Sequence, residues 1–225
     1  RFLSVAKPSS ARIALVGAPG SGKGTVAEWI ERDYGIKKIS SGDLLRQNIE
    51  NNTPVGIEAK PIIATGSLVP DALILKVIRE EIKGHATSRT GFNLDGYPRT
   101  LSQAEQLDLL LKELDLSLQK IYFINVPDEE IVRRVSGRLI HVASGRVYNV
   151  HFKPPAREGL DDITGEPLIQ RPDDNAVTVK ARLDKFHSLT VPILKYFETK
   201  GLLTVVDTMT SKEAYATIQT TLGSI

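Results

Sequence analysis

Short runs of β-branched and other apolar residues alternate with helical patterns along this chain. The run at residues 12–17 (RIALVG) is typical of a buried strand, and a glycine-rich turn and a helix to about residue 34 follow it. Similar runs occur at residues 92–94, 121–126 and 203–207. Each precedes a turn and a helical stretch, such as 100–114 or 128–135. This alternation predicts an α/β fold, in which a parallel sheet has helices on both faces and ligands bind at the carboxyl ends of the strands.

Two stretches interrupt the alternation. Residues 40–69 have helical patterns only, with Thr53 and Pro54 as a helix start signal. Residues 137–174 have little helical periodicity, and their segments SGRVYN, FKPP and DDITGE are typical of short strands joined by turns. A structureless loop of that length is uncommon in a compact domain, so a small folded flap is the better interpretation. The pattern predicts a helical insert at 40–69 and a lid at 137–174, on a core formed by residues 1–39, 70–136 and 175–225.

Composition narrows the possible functions. The 225 residues fit one core domain with small inserts, and the 29 Lys and Arg residues nearly balance the 27 Asp and Glu residues. Without cysteine, the chain cannot form a disulfide framework, a cysteine-based zinc site or a thiol nucleophile. No apolar run approaches the ~18 residues of a membrane helix, and the charge balance gives no support for nucleic-acid binding. We therefore predict neither a membrane nor a nucleic acid as a partner.

The beginning of the chain has a distinct composition. Its first 27 residues contain basic residues and serines but no Asp or Glu. This composition is typical of the remnant of a trimmed organelle-targeting segment, and a frayed or trimmed terminus explains it equally well.

The segment GAPGSGKGT at residues 17–25 directly follows the first strand and opens a helix. Backbone N–H groups at a helix N-terminus converge on a phosphate, and glycines permit the close approach and the unusual dihedral angles. Lys23 would reach the β- and γ-phosphates of a nucleotide. The hydroxyl that usually follows this lysine directly belongs here to Thr25, one position later. The alternative is a glycine-rich turn with a purely geometric role, but the strand, the helix and the lysine spacing favour a phosphate site.

The variant GKGT resembles the adenylate kinase family, and further marks of that family follow in order along nearly the whole chain. They are SSGDLLR at 40–46, DGYPRTLSQ at 95–103, GR at 137–138, SGRVY at 144–148, DDITGE at 161–166, RPDDN at 171–175 and Arg182. The lid segments resemble the long form of the family's lid. The resemblance implies a P-loop NTPase-type parallel five-stranded sheet flanked by helices, with a helical NMP-binding insert and a small β-rich lid insert. It also implies an enzyme that transfers the terminal phosphoryl group of a Mg²⁺-bound nucleoside triphosphate to AMP.

Phosphoryl transfer to AMP needs no nucleophilic side chain, because the acceptor is already an anionic oxygen. The protein has to position the reactants, neutralise charge and exclude water. The resemblance implies a catalytic set of Lys23, Arg99, Arg138, Arg171 and Arg182. The triphosphate site that it implies contains Gly20, Ser21, Gly22, Lys23, Gly24, Thr25, Arg134, Arg138, Val147, Tyr148 and Thr210. The AMP site that it implies contains Ser41, Arg46, Ser67, Leu68, Val69, Gly96, Tyr97, Pro98, Arg99, Gln103, Arg171 and Arg182.

Within these sets the resemblance implies individual roles. Gln103 would read the base of AMP, and Arg46 and Arg99 would bind its phosphate. Arg134 would lie against the base of the donor. The residues expected to clamp the transferred group are Arg138, Arg171 and Arg182.

Metal binding is expected at one site and not at another. Asp95 would hold Mg²⁺ through water, the alternative being a turn-forming Asp before a glycine. Some relatives carry four lid cysteines that bind structural zinc. The corresponding positions here are His141, Ser144, Asp161 and Thr164. Without thiolates we predict no structural zinc, and instead a hydrogen-bonded cluster of these four groups that holds the lid together.

The identity of the donor is the open part of the prediction. Val26 and the lid segment GLDDITGEPL resemble the mitochondrial GTP:AMP phosphotransferase branch, which favours GTP as donor and the mitochondrial matrix as compartment. The segment LIQRPDDN leaves ATP as donor open, and with it a cytoplasmic location. The loop VDTMTSK, which includes Thr210, lacks the glycine that many relatives have there.

Two further hypotheses concern the class of activity. A UMP or CMP kinase is disfavoured by Gln103 within DGYPRTLSQ and by the full-length lid. A nonenzymatic nucleotide-binding protein is disfavoured because Lys23 and the clamp arginines are all retained. We predict a monomer whose partners are small-molecule nucleotides, AMP with GTP or ATP.

Overall fold

The computed structural model describes residues 10–88, 90–171 and 173–223. Residues 1–9, which form the first part of the predicted targeting remnant, lie outside the described residues. Strands in the described ranges are β1 (Arg12–Gly17), β2 (Lys37–Ser40), β3 (Phe92–Asp95), β4 (Lys120–Asn125), β5 (Arg138–Ile140), β6 (Val147–Asn149) and β7 (Leu203–Asp207). Helices there are α1 (Lys23–Tyr34), α2 (Ser41–Glu50), α3 (Pro54–Ala64), α4 (Asp71–Ser88), α5 (Leu101–Glu113), α6 (Asp128–Ser136), α7 (Ala176–Lys185), α8 (Val191–Thr199) and α9 (Ser211–Leu222).

Five of the described strands form one parallel sheet in the spatial order β2-β3-β1-β4-β7. Ile13, Ala14 and Leu15 of the central strand β1 are fully buried, as expected for a strand covered by helices on both faces. The predicted α/β fold with a five-stranded parallel sheet is confirmed. The apolar pattern did not locate β2, because its residues KKIS include two lysines and a single large apolar side chain.

The carboxyl ends of three neighbouring strands meet at one edge of the sheet. Leu15 on β1 pairs with Asp95 at the end of β3, and Asp95 also pairs with Ser40 at the end of β2. Two residues beyond Leu15, β1 ends and leads through residues 18–22 into α1. The predicted phosphate loop and the DGYPRT segment therefore lie side by side at the edge where ligands of parallel sheets bind.

Two capped helices occupy most of the predicted insert at 40–69. The Ser40 hydroxyl accepts a hydrogen bond from the Asp43 N–H at 3.3 Å and starts α2. The Thr53 hydroxyl accepts one from the Gly56 N–H at 3.1 Å and starts α3, with Pro54 as its first residue. The helix start predicted at Thr53 and Pro54 is thus present.

Short strands and turns form the stretch predicted as a lid. β5 and β6 make an antiparallel hairpin, and isolated bridges join Ile140 to Ile169 and Leu160 to Pro167. After the lid the chain enters α7, and a π-helical turn at Phe186–Thr190 leads directly into α8. No helix in the described ranges is both long and apolar enough to span a membrane.

Polar side chains fill the centre of the lid, and they include the four positions predicted to form a cluster. His141 Nδ1 lies 2.7 Å from the Ser144 hydroxyl, and His141 Nε2 lies 3.4 Å from the Thr164 hydroxyl. Thr164 in turn donates to Asp161 at 3.0 Å. Arg146 donates two hydrogen bonds to Asp161, at 2.8 and 2.6 Å, and holds the pKa of that carboxyl well below its usual range. The lid is therefore held together by direct hydrogen bonds and an ion pair.

Candidate active site

The phosphate loop has the backbone that anion binding requires. Gly20 and Gly22 adopt left-handed φ angles of 84° and 90°, and a Cβ atom on Gly22 would lie 2.1 Å from the Ser211 hydroxyl. Glycine is therefore required at position 22 by both conformation and space. No side chain of the described residues caps the first turn of α1, so its N–H groups stay available to an anion. The Ser21 hydroxyl, also in this loop, is buried without a hydrogen-bond partner among the described residues.

Lys23, the first residue of α1, lies in a strongly cationic environment. Its ammonium donates a hydrogen bond to the Ala18 carbonyl at 3.1 Å, within the loop itself. Burial lowers the pKa of Lys23, Asp95 opposes this effect and Arg99 and Arg182 add to it, so that the pKa falls from 10.5 to about 8. The charged form of this amine is thus less favoured than in an exposed lysine, and a negative group beside it would stabilise that form.

Arginines from several segments converge on the same edge of the sheet. Burial, together with repulsion from the nearby Arg182, lowers the pKa of Arg99 to about 10. Burial has the same effect on Arg171, again to about 10, with additional repulsion from Arg46 and Arg138. Guanidinium groups that destabilise one another form a site for a multiply charged anion, because such an anion removes the repulsion.

Two aspartates at the end of the lid bind two of these arginines. Arg138 donates to Asp174 in a bidentate ion pair, with 2.7 Å between Nε and Oδ2. Arg182 donates to the Asp173 carboxylate at 2.9 Å and to its carbonyl at 3.2 Å. Both aspartates belong to the segment RPDDN, in which the family motif alone gave them no role. The Arg171 Nε atom is buried and has no hydrogen-bond partner among the described residues.

A cleft beside Lys23 brings together most of the residues predicted for the monophosphate. It is lined by eleven of them: Ser41, Arg46, Ser67, Leu68, Val69, Gly96, Tyr97, Pro98, Arg99, Gln103 and Arg182. The remaining predicted residue, Arg171, is not among the lining residues and lies near Arg46, whose charge acts on it. Lys185 and Thr190 also line the cleft, although the sequence analysis had not selected them.

Gln103 is held in a fixed orientation in this cleft. Its Oε1 atom accepts a hydrogen bond from the Arg99 N–H at 2.8 Å, and its Nε2 atom donates to Asp71 at 2.8 Å. An amide group can make four hydrogen bonds, so one donor and one acceptor position remain for a ligand. Asp71, at the start of α4, was missed from the sequence because it lies 32 residues before Gln103.

Smaller contacts fix the walls of the cleft. The Ser41 hydroxyl donates to the Gly96 carbonyl at 2.7 Å, and Arg99 Nε donates to the same carbonyl at 2.6 Å. Arg46 forms an ion pair with Asp43, three residues earlier on α2. These contacts join the end of β3 to the start of the helical insert.

Arg134 on α6 connects the phosphate loop with the loop after β7. It donates to the Ser21 carbonyl at 3.4 Å, to the Met209 carbonyl, and to Glu130 at 2.9 Å. Thr210, the next residue, is exposed and caps α9, its hydroxyl accepting from the Glu213 N–H at 3.1 Å. The structure thus brings Arg134 and the loop containing Thr210 together, as the predicted donor-base site requires.

Tyr148, one of the residues predicted for the donor, has its side chain buried in the lid. Its side chain is 3% exposed, and its hydroxyl donates to Asp161 at 2.9 Å and accepts from the Asp162 N–H at 3.0 Å. The phenol is therefore hydrogen-bonded inside the lid, and the predicted donor contact of Tyr148 stays a proposal. Val147, its half-buried neighbour, keeps its predicted role as a proposal.

Asp95 has the features expected of a Mg²⁺ ligand that acts through water. It is 7% exposed, and its Oδ1 atom is buried without a hydrogen-bond partner among the described residues. Its other carboxylate oxygen lies beside Gly24, 3.4 Å from where a Cβ atom would stand. Mg²⁺ in nucleotide sites is typically held by one or two carboxylates, water and the phosphates, so this carboxylate fits the ion.

Comparison with known proteins agrees with this geometry. The sequence model of one protein family, described as Adenylate kinase, matches residues 15–202. This chain belongs to the adenylate kinase family. An adenylate kinase of Yarrowia lipolytica is 45% identical over 200 residues, which cover 89% of this chain and 80% of that protein. Adenylate kinases of Caldicellulosiruptor bescii and Vanderwaltozyma polyspora are 44% and 43% identical, over 86% and 88% of this chain and 90% and 89% of their own lengths.

Membership in the adenylate kinase family makes the chain a nucleoside monophosphate kinase that binds nucleotide substrates. It confirms the resemblance stated from the motifs. The matched region begins in β1 and ends just before β7, so it contains the phosphate loop, the cleft and the lid.

Proposed function

We propose that this protein transfers the terminal phosphoryl group of a Mg²⁺-bound nucleoside triphosphate to AMP, yielding a nucleoside diphosphate and ADP. An oxygen of the AMP phosphate forms a bond to the γ-phosphorus while the bond from that phosphorus to the β,γ-bridging oxygen breaks. No proton has to move, because the attacking oxygen is already anionic and the bridging oxygen leaves as an anion of the nucleoside diphosphate. The observation that carries the proposal is the convergence of Lys23, Arg99 and Arg182 on one cleft, with the pKa of each lowered.

The proposed roles divide the site into a donor part and an acceptor part. The uncapped N–H groups of α1 and Lys23 would bind the β- and γ-phosphates. Arg99 and Arg46 would bind the AMP phosphate, and Gln103 would use its free amide hydrogen and lone pair on the base. Bound Mg²⁺, held through water by Asp95, would add positive charge between the phosphates.

The arginines nearest the lid would bind the group in transit. Arg138, Arg171 and Arg182 come from the lid, its return and α7. Asp174 and Asp173 hold two of them in place. We propose that residues 137–174 close over the triphosphate and residues 40–69 over AMP, which would exclude water that competes with AMP as acceptor.

For the donor we propose GTP, on Val26 and the lid segment GLDDITGEPL, with the mitochondrial matrix as the corresponding compartment. The name adenylate kinase, which the relatives carry, fits ATP equally well. A monomer is likewise proposed. The alternative of a UMP or CMP kinase is tested by comparing these monophosphates with AMP as phosphoryl acceptors.

Initial rates of phosphoryl transfer test this proposal. AMP is supplied with Mg·GTP and Mg·ATP in parallel, kcat/KM is compared, and UMP and CMP replace AMP in control reactions. We expect AMP to be the preferred acceptor and Lys23→Met to lower kcat by at least a hundredfold. A higher kcat/KM with ATP would refute the GTP assignment alone. Transfer to UMP or CMP at the rate of AMP, or an unchanged rate in Lys23→Met, would refute the proposed function or its site.

A further inference from the structure

Lys185 lines the cleft, and the proposed phosphoryl transfer gives its positive charge no role. It is the last residue of α7 and lies three positions after Arg182, on the same face of the helix. Both side chains line the cleft. Lys185 is half-buried, whereas Lys180 on the same helix is exposed.

The ammonium group of Lys185 reaches across to the end of the helical insert. It donates a hydrogen bond to the Ser67 hydroxyl at 2.8 Å, between residues 118 positions apart. The Ser67 hydroxyl also lies 3.0 Å from that of Thr65. Ser67 begins the segment Ser67, Leu68 and Val69, which lines the cleft where the acceptor's nucleoside is proposed to bind. The hydrogen bond therefore ties a wall of the acceptor site to a core helix.

Close packing next to this hydrogen bond shows that the segment is seated on α7. Gly66 is buried and has a left-handed φ of 70°. A Cβ atom on Gly66 would lie 3.0 Å from Thr178 Cγ2 and 3.2 Å from Arg182 Cγ. Residues 65–67 thus lie along the face of α7 that Thr178, Arg182 and Lys185 share, and little space separates them.

The same helix also carries the contacts to the end of the lid. Arg182 binds Asp173 at 2.9 Å and Asp174 at 3.4 Å. One face of α7 therefore contacts both the acceptor wall and the carboxylates that orient the clamp arginines. A shift of residues 65–67 on this helix would change the distance between the acceptor and Arg182.

We propose that Lys185 is a positioning residue for the acceptor nucleotide. By holding Ser67 against α7, it would keep residues 67–69 at the distance from Arg182 and Arg99 that a nucleoside monophosphate spans. This inference rests on the proposed function, because the acceptor is AMP in both. It predicts that loss of Lys185 weakens acceptor binding without weakening donor binding, since the hydrogen bond of Lys185 goes to Ser67 in the acceptor wall rather than to the phosphate loop.

The test compares Lys185→Met with the matched control Lys180→Met. Steady-state kinetics give kcat and both KM values, and calorimetry gives the Kd for AMP in the absence of donor. For Lys185→Met we expect the KM and Kd for AMP to rise about three- to tenfold, the effect of one partly exposed hydrogen bond from a charged donor. The donor KM and kcat should stay within twofold, and Lys180→Met should match the wild type. Lys185→Arg, which retains a donor, should recover most of the AMP affinity.

A double-mutant cycle with Ser67→Ala distinguishes the hydrogen bond from a general effect of charge. Ser67→Ala should raise the KM for AMP by a similar factor, and the double variant should show little further increase. The inference would be overturned, while the proposed function stands, if the effects of the two substitutions on the KM for AMP were additive. An unchanged AMP affinity in Lys185→Met, or an equal rise of both KM values, would overturn it as well. If the wild type binds AMP but transfers no phosphoryl group, the proposed function fails and the Kd values still decide the inference. If the wild type does not bind AMP, both fail.

Discussion

Lys23 is expected to take up a proton when a triphosphate binds. Burial and the surrounding arginines lower its pKa to about 8 in the free protein. At pH 8.5, half a unit above that pKa, about three-quarters of the molecules carry the neutral amine. Bound phosphates place negative charge beside the amine and return its pKa toward the ordinary 10.5. Binding at pH 8.5 should therefore take up about 0.7 proton per triphosphate.

Because triphosphate binding is coupled to proton uptake by Lys23, the Kd of the triphosphate depends on pH in a defined direction. At pH 7 and below, the amine is almost fully charged in both the free and the bound protein, so Lys23 adds little pH dependence to binding. Above pH 8 the free protein loses the proton while the complex keeps it. The Kd of the triphosphate should therefore rise with pH, at up to about tenfold per unit, until the pKa of the complex is reached.

Calorimetry with a nonhydrolysable triphosphate measures the proton uptake directly. Titrations at pH 8.5 in buffers with different ionisation enthalpies give the number of protons as the slope of the binding enthalpy. The phosphates themselves contribute little, because their last pKa lies near 6. Lys23→Met is the control and should take up no proton. An uptake below about 0.2 proton in the wild type, or the same uptake in Lys23→Met, would refute this account of the lysine.

Three further variants test other parts of the structure. Asn93→Leu should raise the free energy of unfolding by about 1–3 kcal/mol, because the Asn93 amide is fully buried without a partner among the described residues; a lower stability in urea would show that the amide is satisfied in solution. Tyr148→Phe should lower the melting temperature by roughly 2–4 °C by removing the hydrogen bond to Asp161. Its donor KM should not change, and a tenfold rise without a thermal effect would support the predicted donor contact. Asp71→Ala should raise the KM for AMP about three- to tenfold with the donor KM unchanged, because it releases Gln103; equal changes in both values would contradict that role.

Local features of this fold were predictable from the sequence. The strand at Arg12–Gly17, the glycine-rich turn and the helix from Lys23 are encoded within a few neighbouring residues, so their patterns suffice. The two caps at Ser40 and Thr53 likewise act over three residues. Strand β2 escaped prediction because its burial comes from neighbours in the sheet rather than from its own composition.

The contacts that orient the site could not be read from local patterns. Asp71 reaches Gln103 across 32 residues, and Lys185 reaches Ser67 across 118. Such pairs depend on how the helices pack, which no spacing along the chain reveals. The burial of Tyr148 likewise depends on the folded hairpin, which decides which side of so short a strand faces the interior.

The hydrogen-bonded interior of the lid has a consequence for the conditions under which the protein can work. His141, Ser144, Asp161 and Thr164 satisfy one another directly, and Arg146 supplies the countercharge. Because the chain has no cysteine, none of these contacts depends on a thiolate, and oxidation of thiols cannot disrupt them.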